Sequence, residues 1–136
     1  MLNKLKKVNI ISFTKLDSTN NYAKKLIKIE DTEEWTVINA DFQIAGRGQQ
    51  GNTWESKASE NLTFSVILKP FFLKPAQQFN LNKAISLGVS DFLKNNFIEN
   101  VKIKWPNDIY VDDKKIAGIL IENTIYGNNY LYCVAG

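Results

Sequence analysis

Short apolar runs dominate this sequence. None is longer than one β-strand requires, and only two segments, 19–28 and 76–95, repeat apolar residues at helical spacing. Strands are predicted at positions 8–14, 35–42, 62–68, 101–104, 109–111, 115–122 and 130–135. Strands in series with two helices predict one α+β domain over residues 1–136, built on a mostly antiparallel sheet with helices on one side.

Residue types that are rare or missing exclude several kinds of chemistry. The chain has no histidine, which excludes a histidine base, a Ser-His-Asp triad and a histidine-ligated metal. Cys133 is the single cysteine, so no internal disulfide forms, in keeping with the cytoplasm. The net charge of +3, to which Lys4 and Lys6 contribute, is more typical of a solvated surface than of a nucleic-acid patch. The N-terminal residues predict neither a signal peptide nor a membrane span, so we expect no membrane partner.

Residues 43–53 hold three of the seven glycines and show no apolar period, which predicts a loop. Glycine-rich backbone can present N–H groups to phosphate or carboxylate oxygens, and Arg47 adds a planar, permanently charged fork. The spacing fits neither a dinucleotide fingerprint nor a P-loop. A flexible surface loop explains the same residues, and the pattern alone favours neither interpretation.

Residues 104–108 read Lys-Trp-Pro-Asn-Asp, which brings opposite charges close to an aromatic ring. The side-chain oxygens of Asn107 and Asp108 are suited to a hydrated Mg²⁺ bridged to phosphates. The alternative is an ordinary turn with a structural ion pair.

The four residues Asp-Ser-Thr-Asn at 17–20 offer N-cap side chains to the first helix, and a helix N-terminus also binds polar ligands.

Residues 115–122 are apolar on both faces, which predicts a central strand. In such a strand Lys115 shares a face with Ala117 and Ile119, and therefore needs a partner or a ligand unless it reaches water at the strand's edge. Gly118 marks either the close approach of a ligand or a bulge.

In this order, the four segments resemble those of the biotin protein ligase family, and the resemblance covers nearly the whole chain. It is carried by Leu16-Asp17-Ser18-Thr19-Asn20, Gln43 with Gly46-Arg47-Gly48 through Trp54, Lys104-Trp105-Pro106-Asn107-Asp108, and Lys115-Ile116-Ala117-Gly118-Ile119-Leu120-Ile121-Glu122. The resemblance implies a fold like the catalytic core of class II aminoacyl-tRNA synthetases. It also implies ATP-dependent activation of biotin to biotinyl-5′-adenylate, with Mg²⁺, and transfer to a lysine of a biotin carboxyl carrier protein. Many relatives form homodimers.

The resemblance further implies a role for each matching residue, with Lys115 and Arg47 as the catalytic pair. Biotin would be bound by Ser18, Thr19, Asn20, Gln43, Gly46, Arg47, Gly48, Lys115 and Gly118. ATP would be bound by Arg47, Trp54, Lys104, Asn107, Asp108 and Lys115, and Mg²⁺ by Asn107 and Asp108.

Two departures from the family pattern stand out. Many members carry further basic residues where Gln49, Gln50 and Asn52 stand here, so phosphate retention is weaker or depends on other residues. We also expect the catalytic domain to be incomplete at the C-terminus, and no DNA-binding domain to precede Ser18. The alternatives are a lipoate ligase or lipoyl transferase, a non-catalytic biotin-binding remnant, and a basic nucleic-acid module.

Overall fold

The computed structural model describes residues 7–136, so Lys4 and Lys6 lie outside the described residues. The described part contains two α-helices and eight β-strands in an α+β arrangement. They are β1 (Asn9–Leu16), α1 (Thr19–Ile29), β2 (Thr36–Gln43), β3 (Thr63–Leu68), α2 (Gln78–Asn95), β4 (Val101–Lys104), β5 (Asp108–Val111), β6 (Lys114–Gly118), β7 (Ile121–Tyr126) and β8 (Asn129–Ala135).

The strands divide between two sheets rather than forming one. The larger sheet has the order β1-β2-β3-β8-β7, and the smaller has the order β4-β5-β6. Only the β1–β2 pair is parallel among these ladders, which confirms the mostly antiparallel α+β fold. Helix α1 contacts β2, β3 and β8 of the larger sheet, whereas α2 contacts β4 and β5 of the smaller one.

The core lies between α1 and the larger sheet. Strand alternation directs Ile38, Ile67 and Val134 to the same face, where they meet Ala23 and Leu26 of the helix. This packing fixes the start of α1 above the sheet. A helix held in this way places its free N–H groups and capping side chains at a defined position, which is what a binding site requires.

The prediction of one central strand over residues 115–122 is wrong. The ladder of β6 ends before Ile119, whose N–H donates to the carbonyl oxygen of Asn107 at 2.9 Å. Leu120 instead exchanges two backbone hydrogen bonds with Gly136, at 2.7 and 2.9 Å, and so leads into β7. The segment thus passes from the edge of one sheet to the edge of the other. A continuous apolar run does not reveal such a change of hydrogen-bond partner.

Candidate functional site

The start of α1 forms one side of the site. The Ser18 side chain caps the helix by accepting from the backbone N–H of Asn21 at 3.3 Å. Gln43, at the end of β2, accepts from both the backbone N–H and the hydroxyl of Thr19, at 2.8 and 3.1 Å. Thr19 and Gln43 are therefore in direct contact, and Ser18 lies beside them at the start of the helix.

Ser65 lies beneath this helix start, and sequence analysis missed it. Its Oγ is 2.7 Å from Thr19 Oγ1 and 2.5 Å from Asn20 Oδ1, and the residue is completely buried. Ser65 faces the core because it lies directly opposite Ile38 across the β2–β3 ladder. No sequence signal marked this position, because alternation with the apolar Phe64 and Val66 predicts an outward Ser65, whereas the structure buries Ser65 and exposes Phe64.

Glu122 joins the helix start to the glycine-rich loop. Its carboxylate accepts from Lys24 Nζ at 2.8 Å and Asn20 Nδ2 at 3.0 Å, and from both terminal nitrogens of Arg47, at 3.2 and 2.5 Å. Burial by itself raises the pKa of Glu122, but the hydrogen bonds from Arg47, Lys24 and Asn20 outweigh it and lower the pKa below its usual value. Sequence analysis gave this residue no role, although it closes the last matching segment.

The glycine-rich loop folds into a tight hairpin. The N–H of Trp54 donates to the carbonyl of Gly46 at 2.8 Å, and that of Gly48 donates to Asn52 at 2.7 Å. A side chain on Gly46 would collide with the backbone carbonyl of Trp54, so glycine is required there. The N–H of Ala45 donates to the Asp17 carbonyl at 2.9 Å, which ties the hairpin to the start of α1.

A cavity of about 250 Å³ opens between this hairpin and α1. It is lined by Asn21, Ala45, Gly46, Arg47, Gly48, Gly51, Asn52 and Thr53. Among these residues, Asn21, Arg47 and Asn52 carry side-chain hydrogen-bond donors suited to a ligand that accepts hydrogen bonds.

A second charged group lies on the smaller sheet. Lys115 Nζ is 2.8 Å from Asp108 Oδ1 and 5.1 Å from the centre of the Trp54 ring. The same indole covers Gly118, where an added Cβ would lie only 2.6 Å from Trp54 Cζ3. Trp54 therefore connects the glycine hairpin to the ion pair, and the absence of a side chain at Gly118 allows this contact.

The predicted face of Lys115 is wrong, because β6 contains a bulge. Asp108 pairs with Gly118 and Ile109 with Ala117, but the register then shifts so that Tyr110 lies opposite Lys115. The extra residue moves Lys115 to the face of Gly118, away from Ala117. The lysine thus faces a carboxylate and an indole rather than an apolar surface.

The remaining residues of the Lys-Trp-Pro-Asn-Asp segment have different environments. Asn107 Nδ2 donates to the Ile119 carbonyl at 2.9 Å and holds the crossing between the sheets. Lys104 lies opposite Asp108 in the ladder, with Nζ 5.8 Å from the Tyr110 ring. Trp105 is half-exposed and contacts Phe79 instead, with ring centres 4.5 Å apart.

The described residues limit the chemistry that is available. Burial raises the pKa of the Cys133 thiol to about 12, so it is no nucleophile at neutral pH. Within positions 7–136, no three or more acidic or cysteine side chains cluster as metal ligands, and no helix combines the length and apolarity needed to cross a membrane. The site offers two carboxylates that are paired with cations: Glu122 with Arg47 and Lys24, and Asp108 with Lys115. This arrangement is typical of a domain that positions an anionic ligand and neutralises its charge.

Comparison with known proteins shows the family to which this domain belongs. Residues 12–136 match the Biotin/lipoate A/B protein ligase family. The chain is 36% identical over 109 residues to the bifunctional ligase/repressor BirA of Escherichia coli, covering 80% of this chain and 33% of that protein. It is 33% identical over 109 residues to the biotin–[acetyl-CoA-carboxylase] ligase of Paracoccus denitrificans, covering 79% of this chain and 44% of the relative. The chain therefore belongs to the biotin/lipoate A/B protein ligase family.

Solved structures show the same relationship. The biotin protein ligase of Leishmania major in complex with biotin matches with a TM-score of 0.75 and 26% identity, over 95% of this chain and 56% of that one. The Aquifex aeolicus biotin protein ligase in complex with biotin and ATP matches with a TM-score of 0.69 and 30% identity, over 93% and 51%. The chain spans about a third of the length of the BirA proteins it matches.

Proposed function

We propose that this chain is the biotin- and ATP-binding part of a biotin protein ligase. The observation that carries the proposal is the cluster of Lys115, Asp108, Gly118 and Trp54 beside the glycine hairpin. The names of the matched relatives, together with their complexes with biotin and with ATP, support biotin rather than lipoate as the substrate.

In the first step, a carboxylate oxygen of biotin attacks the α-phosphorus of ATP. The bond from that phosphorus to the bridging oxygen breaks, and biotinyl-5′-adenylate and pyrophosphate form. Lys115 is the proposed main cation for this step, exchanging its contact with Asp108 for the negative charge that develops at the α-phosphate. Arg47 adds a second positive charge from the hairpin. No nucleophilic side chain is required, because orientation and charge neutralisation lower the barrier.

The biotin head group is proposed to bind at the start of α1, where hydroxyl and amide groups converge. Thr19 and Gln43 already hydrogen-bond each other, and Ser65 supports them from below. The other proposed biotin ligands are Ser18, Asn20, Gly46, Arg47, Gly48, Lys115 and Gly118. Trp54, Lys104, Asn107 and Asp108 are proposed to serve ATP.

Asp108 is the residue suited to hold Mg²⁺. One carboxylate together with substrate phosphates is a common donor set for this ion, so the lack of an acidic cluster is compatible with it. The ion would neutralise phosphate charge when bound. Asn107 is the second proposed ligand, because its side-chain nitrogen donates to the Ile119 carbonyl and this bond does not use the amide oxygen that would bind the ion.

In the second step, the amine of a carrier-protein lysine attacks the acyl carbon of the adenylate. An amide forms, AMP leaves with the electron pair of the broken C–O bond, and the amine loses a proton to solvent. The proposed acceptor is the biotin carboxyl carrier protein. The same proposal places the protein in the cytoplasm, without a nucleic-acid partner, and as a homodimer. Sedimentation velocity with and without biotin tests the homodimer.

The deciding experiment is calorimetric titration of biotin, with and without ATP and Mg²⁺, followed by mass analysis for biotinyl-adenylate. Binding with adenylate formed supports the proposal and shows that this chain suffices for the first step. Biotin binding without adenylate would indicate a binding remnant. A folded protein that binds lipoate and not biotin would overturn the choice of substrate.

A further inference from the structure

Glu122 accepts hydrogen bonds from three other side chains, and the proposed reaction assigns it no role. Only about a fifth of its side chain is exposed, and its carboxylate accepts hydrogen bonds from Asn20, Lys24 and Arg47. These partners come from α1 and from the glycine hairpin, whereas Glu122 itself lies on the edge strand β7. One carboxylate therefore links three separate parts of the chain.

The contact with Arg47 uses both terminal nitrogens of the guanidinium, which is a bidentate geometry that fixes orientation as well as distance. Arg47 Nε is buried and has no hydrogen-bond partner among the described residues. A buried guanidinium donor without a partner is costly, and a ligand oxygen would satisfy it. Glu122 thus holds Arg47 by one edge and leaves a further donor for the site.

A chain of hydrogen bonds continues from Glu122 towards the proposed biotin side. Asn20 donates to Glu122 Oε2 at 3.0 Å, and its amide oxygen is 2.5 Å from the Ser65 hydroxyl. Ser65 in turn lies 2.7 Å from Thr19 Oγ1, which bonds Gln43. The glycine hairpin and the helix start are therefore connected through one ionised group.

We propose that Glu122 is a positioning residue whose carboxylate holds Arg47 and Asn20 together and thereby keeps the glycine hairpin closed over the ligand site. The lowered pKa of Glu122 supports this role, because the side chain stays ionised at neutral pH. The inference deepens the proposed function and depends on it for its kinetic readout. Its structural readout, the closure of the hairpin, is independent of any activity.

The rate at which trypsin cleaves the chain after Arg47 measures how readily the hairpin opens. Glu122→Gln keeps an amide oxygen for Asn20 but removes the charge that holds Arg47. Cleavage between residues 47 and 48 should become roughly tenfold faster, as expected for losing a hydrogen bond between charged groups. Glu60→Gln is the matched control, because it removes the carboxylate of the exposed Lys57–Glu60 pair and should leave this cleavage rate unchanged. An unchanged rate in Glu122→Gln would overturn the proposal.

A double-mutant cycle separates positioning through Arg47 from a general structural effect. If Glu122 acts through Arg47, Glu122→Gln should raise the KM for ATP and lower kcat for adenylate formation roughly tenfold. Adding Glu122→Gln to Arg47→Ala should then cause no further loss. Losses that multiply instead would show an independent role and contradict the proposal.

Two controls keep the test decisive. If the wild-type chain forms no adenylate, the proposed function fails, while the cleavage assay still judges the role of Glu122. If Glu122→Gln does not fold, Glu122→Asp keeps the charge but withdraws it by one methylene. Cleavage after Arg47 should then lie between the wild-type and unrestrained rates, and a wild-type rate would count against the proposal.

Discussion

The Lys115 ammonium lies 2.8 Å from the Asp108 carboxylate and faces the Trp54 ring from 5.1 Å. These groups come from two strands of the smaller sheet and from the glycine hairpin, so the contact depends on how the sheet and the hairpin pack. In the proposed reaction, the α-phosphate of ATP would replace Asp108 as the partner of a lysine that is already oriented. This relationship makes Lys115 the first residue to test.

Lys115→Ala should reduce biotinyl-adenylate formation by about 10²–10³-fold, because it removes the charge opposite the α-phosphate. The fold should persist, since Lys115 lies on an edge strand and more than a third of its side chain is exposed. Biotin-dependent pyrophosphate release measures the loss. Lys114→Ala is the control, because that exposed neighbour pairs with Val111 on the opposite face. Undiminished adenylation in Lys115→Ala refutes the assignment.

Arg47→Ala should weaken the use of ATP more than the binding of biotin. The guanidinium carries a permanent charge on the hairpin, and its buried Nε is a free donor for an anionic ligand. The hydrogen bonds between Thr19 and Gln43, on the proposed biotin side of the site, do not involve Arg47. Steady-state kinetics in ATP, compared with biotin calorimetry, give the two losses, and equal losses would contradict the prediction.

Gly118→Ala should impair nucleotide use, because the new Cβ would lie 2.6 Å from Trp54 Cζ3 and force the indole to move. Such overpacking costs about 1–3 kcal/mol in unfolding free energy. Gly88→Ala is the matched control, since nothing lies within 4 Å of its added Cβ and it sits inside α2. The control should gain about 0.5–1 kcal/mol. Urea unfolding and the KM for ATP distinguish the two, and a normal KM in Gly118→Ala would show that the Trp54 contact is dispensable.

Ser65→Ala should lower biotin affinity roughly tenfold while leaving the KM for ATP near normal. The change removes the hydroxyl that contacts Thr19 and Asn20. Thr19 keeps its hydrogen bond to Gln43, but leaving the buried Asn20 amide oxygen without its donor costs about 1–3 kcal/mol. Ser90→Ala, at an equally buried serine of α2, serves as the control in the same calorimetric titration. Identical biotin affinities for the two variants would remove Ser65 from the site.

Acid stability should depend on Glu122. Its pKa is depressed in the folded state, so its stabilisation is fully present above the unfolded-state pKa and is lost as pH falls through the lower folded-state pKa. Between about pH 6 and about pH 3, the unfolding temperature of the wild type should fall more steeply than that of Glu122→Gln. Parallel curves from thermal denaturation across that range would show that the ion cluster does not stabilise the fold.

The sequence by itself determined the local features of this protein. Apolar periodicity located both helices, and the hydroxyls at 18 and 19 indicated where the first begins. The cluster of glycines indicated a loop over residues 43–53, and the structure shows a hairpin there. Such features depend on neighbours close in sequence, which is why the pattern of residue types reveals them.

Only the tertiary structure decided the division into two sheets and the partners of the charged side chains. The apolar run 115–122 looked continuous, yet its hydrogen bonds pass from one ladder to another at Ile119. A one-residue bulge turned Lys115 towards Asp108, and folding brought Glu122 to Arg47 across 75 residues. Sequence patterns record periodicity but not ladder register or long-range charge pairing, because both are set by packing between distant segments.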